Sequence, residues 1–234
     1  MEIMEKTNFS LLSLGEIVVN DFKAASLFSS VGIDFCCGGK MSLKQACDAK
    51  NLDVNNIIVQ LQSLAETPAN PSQNFNEWDL GFLADYIVNT HHKYVLKTLP
   101  ELVFYTQKIA NVHGLHHPEL IEVADLFGKI NTELLQHLKN EEEVLFPAIK
   151  EALKDNSPNV KKIIHSEITR MSGEHEFAGG AMDKINEITK GYKVPADGCN
   201  TYSVSFKLLQ QFEDDLHVHV HLENNILYPK SLLL

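Results

Sequence analysis

The sequence predicts an all-α protein with two parts, a small helical domain followed by an up-down-up-down four-helix bundle. Apolar residues recur with the 3.6-residue period of a helix in four long stretches, and no alternating β-type pattern competes with this period. Short connections separate the stretches, which favours antiparallel neighbours. The predicted bundle helices cover residues 79–111, 118–155, 158–190 and 201–230.

Proline and glycine mark the ends of these stretches. Pro118 and Pro158 suit the first turn of a helix, where a missing N–H leaves no helical hydrogen bond unmade. Gly114 and Gly191 suit the residue that follows a helix, because glycine readily adopts the backbone conformations found there. These residues support four separate helices rather than two longer ones.

The small domain is expected at residues 1–66, before the bundle at residues 78–234. The intervening segment, residues 67–77, contains two prolines, three asparagines and few apolar residues. This composition is typical of a linker.

Short helices are expected within the small domain. The segments Ser13-Leu-Gly-Glu16 and Ser42-Leu-Lys-Gln45 have the form of a capping box, which marks a helix start. The first of these helices is expected to end at Gly32, and a third helix is expected within residues 54–65.

Composition and charge exclude several classes of function. The chain of 234 residues carries 31 acidic and 20 basic side chains, for a formal net charge of −11. Such a chain is a poor candidate for nucleic-acid binding, which needs a basic surface. Glu2 and Glu5 stand where a secretory signal would be basic, and no stretch approaches the roughly 20 apolar residues of a membrane span. We expect a cytoplasmic protein without a membrane partner.

A repeated motif carries the strongest chemical signal. The pattern H-x-x-x-E-x-x-x-L-[FY]-P starts at His137 and again at His219, so that the paired acids are Glu141 and Glu223. A spacing of four residues places the imidazole and the carboxylate on one face of a helix. One helix could therefore offer a nitrogen and an oxygen to the same cation.

These residues fall on the apolar seam of the predicted helices, and so do His92 and His175. A buried carboxylate is costly unless it is paired or bound to a metal, and the seam contains no Lys or Arg. We therefore predict a dinuclear metal centre in which both carboxylates bridge, with His92 and His137 on one cation and the other two histidines on the second. The predicted ligands are His92, His137, Glu141, His175, His219 and Glu223.

Imidazole and carboxylate ligands suit iron, manganese or zinc, and the number of histidines favours iron with open positions for a small ligand. His91 is an alternative to His92. The other histidines are expected to be solvated or to support the ligands, with loop histidines at the surface. Glu174 is expected on a solvated helix face or beside the site, and Glu142 and Glu143 at the surface.

The four cysteines form a second candidate feature. A disulfide between the neighbours Cys36 and Cys37 would be strained, and the adjacent helix start and lysines favour thiolates. The pair is a candidate for redox or iron-transfer chemistry, and a buried pair on a glycine turn is the alternative. We expect Cys47 and Cys199 to be ordinary packed thiols.

Five segments together resemble the iron–sulfur cluster repair di-iron proteins, also called repair-of-iron-centres proteins. The resemblance covers nearly the whole chain, and the segments are GIDFCCGGK, NTHHKYVLKTLPEL, HLKNEEEVLFP, GEHEFAG and HVHLENNILYP. It implies a hemerythrin-like bundle with a non-haem di-iron centre on the same six ligands. It also implies an N-terminal domain that carries the paired cysteines, and a homodimer.

The resemblance implies repair of iron–sulfur proteins damaged by nitrosative or oxidative stress. The expected mechanism is donation of iron from a carboxylate-bridged pair of iron ions, with Cys36 and Cys37 accepting or passing on iron. Nitric oxide or dioxygen would be the small ligands, and the expected role is a repair protein more than an enzyme. The alternatives are a hemerythrin-type protein that binds or senses nitric oxide or dioxygen, and a nitric oxide reductase.

Overall fold

The computed structural model describes residues 9–66, 73–155 and 157–234. Within these ranges every regular element is a helix, and the only β-type pairing is an isolated bridge between Ser13 and Ser42. The all-α prediction is confirmed. None of the described helices is long and apolar enough to cross a membrane.

The chain divides into two compact units, and the last helix contributes residues to both. One unit comprises Met1–Asp79 with Val220–Lys230, and the other comprises Leu80–His219 with Ser231–Leu234. They are called the N-terminal unit and the bundle unit below. The segment expected as a linker lies partly outside the described residues, and its end forms a 3-10 turn, Phe75–Glu77, with Phe75 buried.

Four short α-helices lie within the described residues 9–66 of the N-terminal unit. Both predicted capping boxes form, since the hydroxyls of Ser13 and Ser42 accept a backbone N–H three residues later. The helices pack around a core that includes Phe28, Phe35 and Leu43, each at most 1% exposed. Their bounds are α1 Leu14–Asn20, α2 Lys23–Ser30, α3 Leu43–Lys50 and α4 Val54–Ala65.

The first predicted helix is broken, because two helices occupy the stretch before Gly32. Asp21 has an extended backbone and its carboxylate accepts the N–H of Lys23 at 3.1 Å. A short acidic side chain that bonds the backbone in this way competes with a continuous helix. Gly32 ends the second helix with φ +69°, as expected for a residue in the left-handed region.

The four predicted bundle helices are present within a few residues of their expected bounds. Three of them contain a π turn, a widened helical turn with one additional residue. The first bundle helix consists of α5 Leu80–Ile87, a π turn Val88–His92 and α6 Lys93–His113. The second consists of α7 Glu119–Asn140, a π turn Glu141–Leu145 and α8 Phe146–Ala152. The third is α9 Pro158–Ile188, and the fourth consists of α10 Asn200–Leu222, a π turn Glu223–Leu227 and α11 Tyr228–Ser231.

The prolines of the repeated motif explain two of the π turns. Pro147 and Pro229 cannot donate to the carbonyl four residues earlier, and their rings crowd it. In the widened turns, the N–H of the residue before each proline bonds five residues back, to the carbonyl of Glu141 or Glu223. The motif therefore places its glutamate at the start of a π turn, and such turns are frequent at functional sites.

Gly39 is a site where the fold leaves no room for a side chain. A Cβ there would lie 2.9 Å from the carbonyl oxygen of Phe35, within the N-terminal unit. We predict that Gly39→Ala lowers the free energy of unfolding by about 1–3 kcal/mol, because the backbone around it would have to shift. Urea denaturation followed by circular dichroism measures the change.

Gly128→Ala is the matched control, because nothing lies within 4 Å of a Cβ at that position in α7. Alanine favours a helix over glycine, so this variant should keep or gain up to about 1 kcal/mol. Equal stabilities of the two variants would contradict the crowding at Gly39.

Candidate metal centre

The six side chains predicted as metal ligands are almost completely buried inside the helices. Each of the six is at most 1% exposed, and two of them are carboxylates. They are the predicted ligands His92, His137, Glu141, His175, His219 and Glu223.

The structure brings all six together as two overlapping groups of four. His92, Glu141, His219 and Glu223 form one group, whose ligand atoms all lie within 4.8 Å of one another. His137 and His175 form the second group with the same two glutamates, within the same limit. Because both carboxylates belong to both groups, they lie between two adjacent candidate cation positions.

Three close contacts within the groups involve Glu141 or His137. The Glu141 Oε2 atom lies 3.3 Å from His92 Nε2 and 3.2 Å from His137 Nε2. The Nε2 atoms of His137 and His175 are 3.1 Å apart. Donor atoms at these separations can bind a common cation after small shifts.

The pairing of the histidines differs from the expected one. His92 shares a group with His219, and His137 shares a group with His175. The repeat in the sequence relates the first helix to the third and the second to the fourth, so both pairings satisfy it. Only the positions of the folded helices distinguish them.

The donor set fits a pair of metal cations. Two carboxylates without solvent exposure need positive charge nearby, and no Lys or Arg is among the buried side chains of the described residues. Imidazole nitrogens and carboxylate oxygens are ligands for iron, manganese or zinc. These two groups of side chains could therefore hold metal cations.

Two further glutamates contact the Nδ1 atoms of two of these imidazoles. Glu142 Oε1 lies 2.8 Å from His92 Nδ1, and Glu174 Oε2 lies 2.8 Å from His137 Nδ1. Each contact leaves Nε2 of the ring directed to the buried carboxylates, as in most metal sites where the second ring nitrogen donates to a carboxylate. The hydrogen bond from His137 lowers the pKa of Glu174.

Glu142 is exposed at the surface, as expected, but it also contacts a predicted ligand, and Glu174 lies beside the site. Both are partly exposed, with side chains 39% and 23% accessible, so their outward position alone suggests solvated residues. Their adjacency in sequence to Glu141 and His175 was the signal that could have found them.

His91 is buried and lies outside both groups. Its Nδ1 is 3.0 Å from Asp215 Oδ1, and its ring stacks on that of His219 at 5.5 Å. The cluster thus includes His92 and not its neighbour. His221 is also buried, and desolvation lowers its pKa to about 4.

The cysteine pair lies in the turn that precedes α3. Asp34 Oδ1 accepts hydrogen bonds from the backbone N–H groups of Cys36 and Cys37, at 2.9 and 3.1 Å, and from the Cys36 thiol at 3.0 Å. The two sulfur atoms are 3.9 Å apart, and neither cysteine forms a disulfide. These three residues form another group of potential metal ligands.

The environment of Cys36 favours the thiol, contrary to expectation. Its hydrogen bond with Cys37, its burial and the charge of Asp34 all raise its pKa. The cysteines stand several residues ahead of the helix start at Ser42, so the helix amides do not reach them. Asn225 supports the turn, since its amide nitrogen lies 3.3 and 3.4 Å from the carbonyl oxygens of Phe35 and Cys36.

Comparison with known proteins finds two family models that match separate segments of the chain. Residues 12–65 match the family model of a domain of unknown function, DUF542, called ScdA_N. Residues 83–231 match the hemerythrin HHE cation binding domain, and this match includes all six clustered residues. Curated relatives match over most of their length and are named iron–sulfur cluster repair proteins.

The chain belongs to the iron–sulfur cluster repair protein family. It is 33% identical to the repair protein ScdA of Staphylococcus epidermidis over 216 residues, which is 91% of this chain and 95% of that protein. It is 33% identical to YtfE of Pectobacterium carotovorum and 32% identical to YtfE of Yersinia pestis, each over 220 residues, 94% of this chain and 96% of the relative. The bundle of this family member is a cation-binding domain.

We predict that Glu174→Ala weakens binding of the cation held by His137, because the imidazole loses the carboxylate that orients it. Loss of such a partner typically costs 10–100-fold in metal affinity. Competitive titration with a chromophoric chelator measures the change. Glu176→Ala is the control, because Glu176 is an exposed acid on the same helix. Equal affinities in the two variants would contradict an orienting role for Glu174.

Proposed function

We propose that this chain is a di-iron protein that repairs iron–sulfur clusters damaged by nitrosative or oxidative stress, by donating iron. The observation that carries the proposal is the pair of overlapping histidine groups around two shared, buried carboxylates. The relatives named iron–sulfur cluster repair proteins support the proposed process.

Each iron would be held by two imidazoles and both bridging carboxylates. His92 and His219 would bind one iron, and His137 and His175 the other. This arrangement offers four protein donors to each cation, whereas ferrous iron commonly takes more. The remaining positions would be open to water or to a small ligand.

The ligand chemistry favours release of iron. The buried centre contains nitrogen and oxygen donors and no sulfur. Thiolate sites, such as those that assemble iron–sulfur clusters, hold ferrous iron more firmly than imidazole and carboxylate. Iron would therefore pass downhill from the bundle to a damaged cluster that has lost an iron.

Cys36 and Cys37 would accept or pass on this iron, together with Asp34. A metal binds the thiolate, so uptake by this group must displace the thiol protons. Since the pKa of Cys36 is raised, transfer through the pair would become less favourable as the pH falls.

We further propose that the protein acts in the cytoplasm as a homodimer, on damaged iron–sulfur proteins. A second candidate function is binding, sensing or reduction of nitric oxide or dioxygen at the two metals. The observation that favours it is the small number of protein donors for each cation, which leaves positions for a diatomic ligand.

His175→Ala tests the proposed function, because this variant removes a ligand of one group only. We predict loss of the two-iron stoichiometry, and loss of the ability to reactivate a hydro-lyase whose iron–sulfur cluster has been damaged. Iron analysis and the enzyme assay measure the two effects. His165→Ala, an exposed histidine on the same helix, is the control and should retain both.

Reactivation by the iron-loaded protein no greater than that by an equal amount of free ferrous iron would contradict donation. Steady consumption of nitric oxide with an electron donor would favour the reductase instead. Reversible oxygenation bands with full retention of iron would favour the binding or sensing protein.

A further inference from the structure

Cys199 occupies the residue before α10, the fourth bundle helix, and its thiol is exposed. Its carbonyl oxygen accepts the N–H of Ser203 at 3.1 Å, which makes Cys199 the N-cap of the helix. The backbone N–H groups of Thr201 and Tyr202 donate to its sulfur. The sulfur thus lies at the positive end of a 23-residue helix, where negative charge is stabilised.

A histidine from another helix completes the pair. His113, at the end of α6, has its Nε2 atom 3.2 Å from the Cys199 sulfur. Its ring packs edge-on against Tyr202 at 5.5 Å, and Tyr202 is only 1% exposed. A buried aromatic ring therefore holds the imidazole against the thiol. A nucleophile within hydrogen-bond reach of a base is the arrangement of an activated thiol.

The charged groups around the pair do not oppose a thiolate. The carboxylates of Asp197 and Glu119 contact His117, at 3.1 and 3.3 Å, instead of the sulfur. The hydrogen bond to Asp197 raises the pKa of His117. The hydrogen bond from His113, followed by the backbone N–H groups, lowers the pKa of Cys199 to about 7.

We propose that Cys199 and His113 form a reactive thiol site that takes up low-molecular-weight disulfides as mixed disulfides. The site belongs wholly to the bundle unit and shares no residue with the metal centre or with the Cys36–Cys37 turn. It is a modification site in addition to the repair function proposed above, and does not depend on it.

The reaction is a thiol–disulfide exchange. The Cys199 sulfur attacks one sulfur of the disulfide, a new S–S bond forms, and the old S–S bond breaks with its electron pair on the departing thiolate. His113 takes the proton of the Cys199 thiol, and this proton ends on the departing thiolate. One disulfide and one protein thiol thus yield one mixed disulfide and one free thiol.

The product is expected to remain a mixed disulfide. Residues 80–219 and 231–234, which form the bundle unit, contain no cysteine besides Cys199. No second thiol in this unit can resolve the adduct into an internal disulfide. A reducing thiol from solution would reverse the modification.

Alkylation of the full-length protein with iodoacetamide over a range of pH, read for each cysteine peptide by mass spectrometry, tests the site. We predict a midpoint near pH 7 for Cys199. His113→Gln should move the midpoint toward the ordinary thiol pKa of about 8.5. The rate at pH 7 should fall about three- to fourfold, because the thiolate fraction falls about 16-fold while the less acidic thiol is the better nucleophile.

His116→Gln is the control, because His116 is an exposed histidine three residues after His113. It should leave the midpoint near pH 7. Cys47 serves as an internal reference, since burial raises its pKa and its side chain is 0% exposed. It should react far more slowly than Cys199.

Oxidised glutathione is the probe for the exchange itself. The protein should gain one glutathionyl group at Cys199, and Cys199→Ser should lose that adduct while keeping its metal content. A midpoint above pH 8 in the unmodified protein, an unchanged midpoint in His113→Gln, or no adduct at Cys199 would each overturn the proposal.

Discussion

The structure depends on two carboxylates, Glu141 and Glu223, that have no exposure to solvent, while the described part of the chain contains no buried Lys or Arg to balance them. Transfer of a carboxylate from water into a protein interior costs several kcal/mol unless a cation or hydrogen bonds compensate. Four imidazoles lie beside the pair, so that two sets of four donor atoms could each hold a cation. Each of the four bundle helices supplies at least one of these donors, so cation binding and bundle packing are coupled.

Charge is arranged in layers around this centre. The two inner carboxylates face the four imidazoles, and the outer carboxylates Glu142 and Glu174 bond the ring nitrogens that point away. The outer acids reach solvent, so their charge costs little, while they fix the orientation of the inner rings. The π turns also affect the orientation of the inner carboxylates, because two of these turns begin at Glu141 and Glu223.

Much of this could be predicted from the sequence. Helical periodicity indicated four long helices, and the doubled motif with two seam histidines indicated the six residues that the structure brings together. The grouping of His92 with His219 could not be predicted, because the internal repeat is compatible with either pairing. The π turns were missed because an additional residue in one turn leaves the apolar pattern on either side unchanged.

Contacts between distant residues explain the remaining differences. Cys199 was expected to be an ordinary packed thiol, but its partner His113 lies 86 residues earlier, and only the packing of two helices joins them. Conversely, the sequence places a helix start near Cys36, which favours a thiolate. In the folded turn, the hydrogen bond with Cys37, burial and the charge of Asp34 raise the pKa of Cys36 instead. The surroundings of these two cysteines could therefore not be predicted from local sequence.

X-ray absorption at the iron edge of the iron-loaded protein tests the central claim most directly. The account predicts nearest neighbours that are nitrogen and oxygen only, together with iron–iron scattering from two ions that share both carboxylates. A single iron without a second metal neighbour, or sulfur among the nearest ligands, would contradict a carboxylate-bridged pair at Glu141 and Glu223.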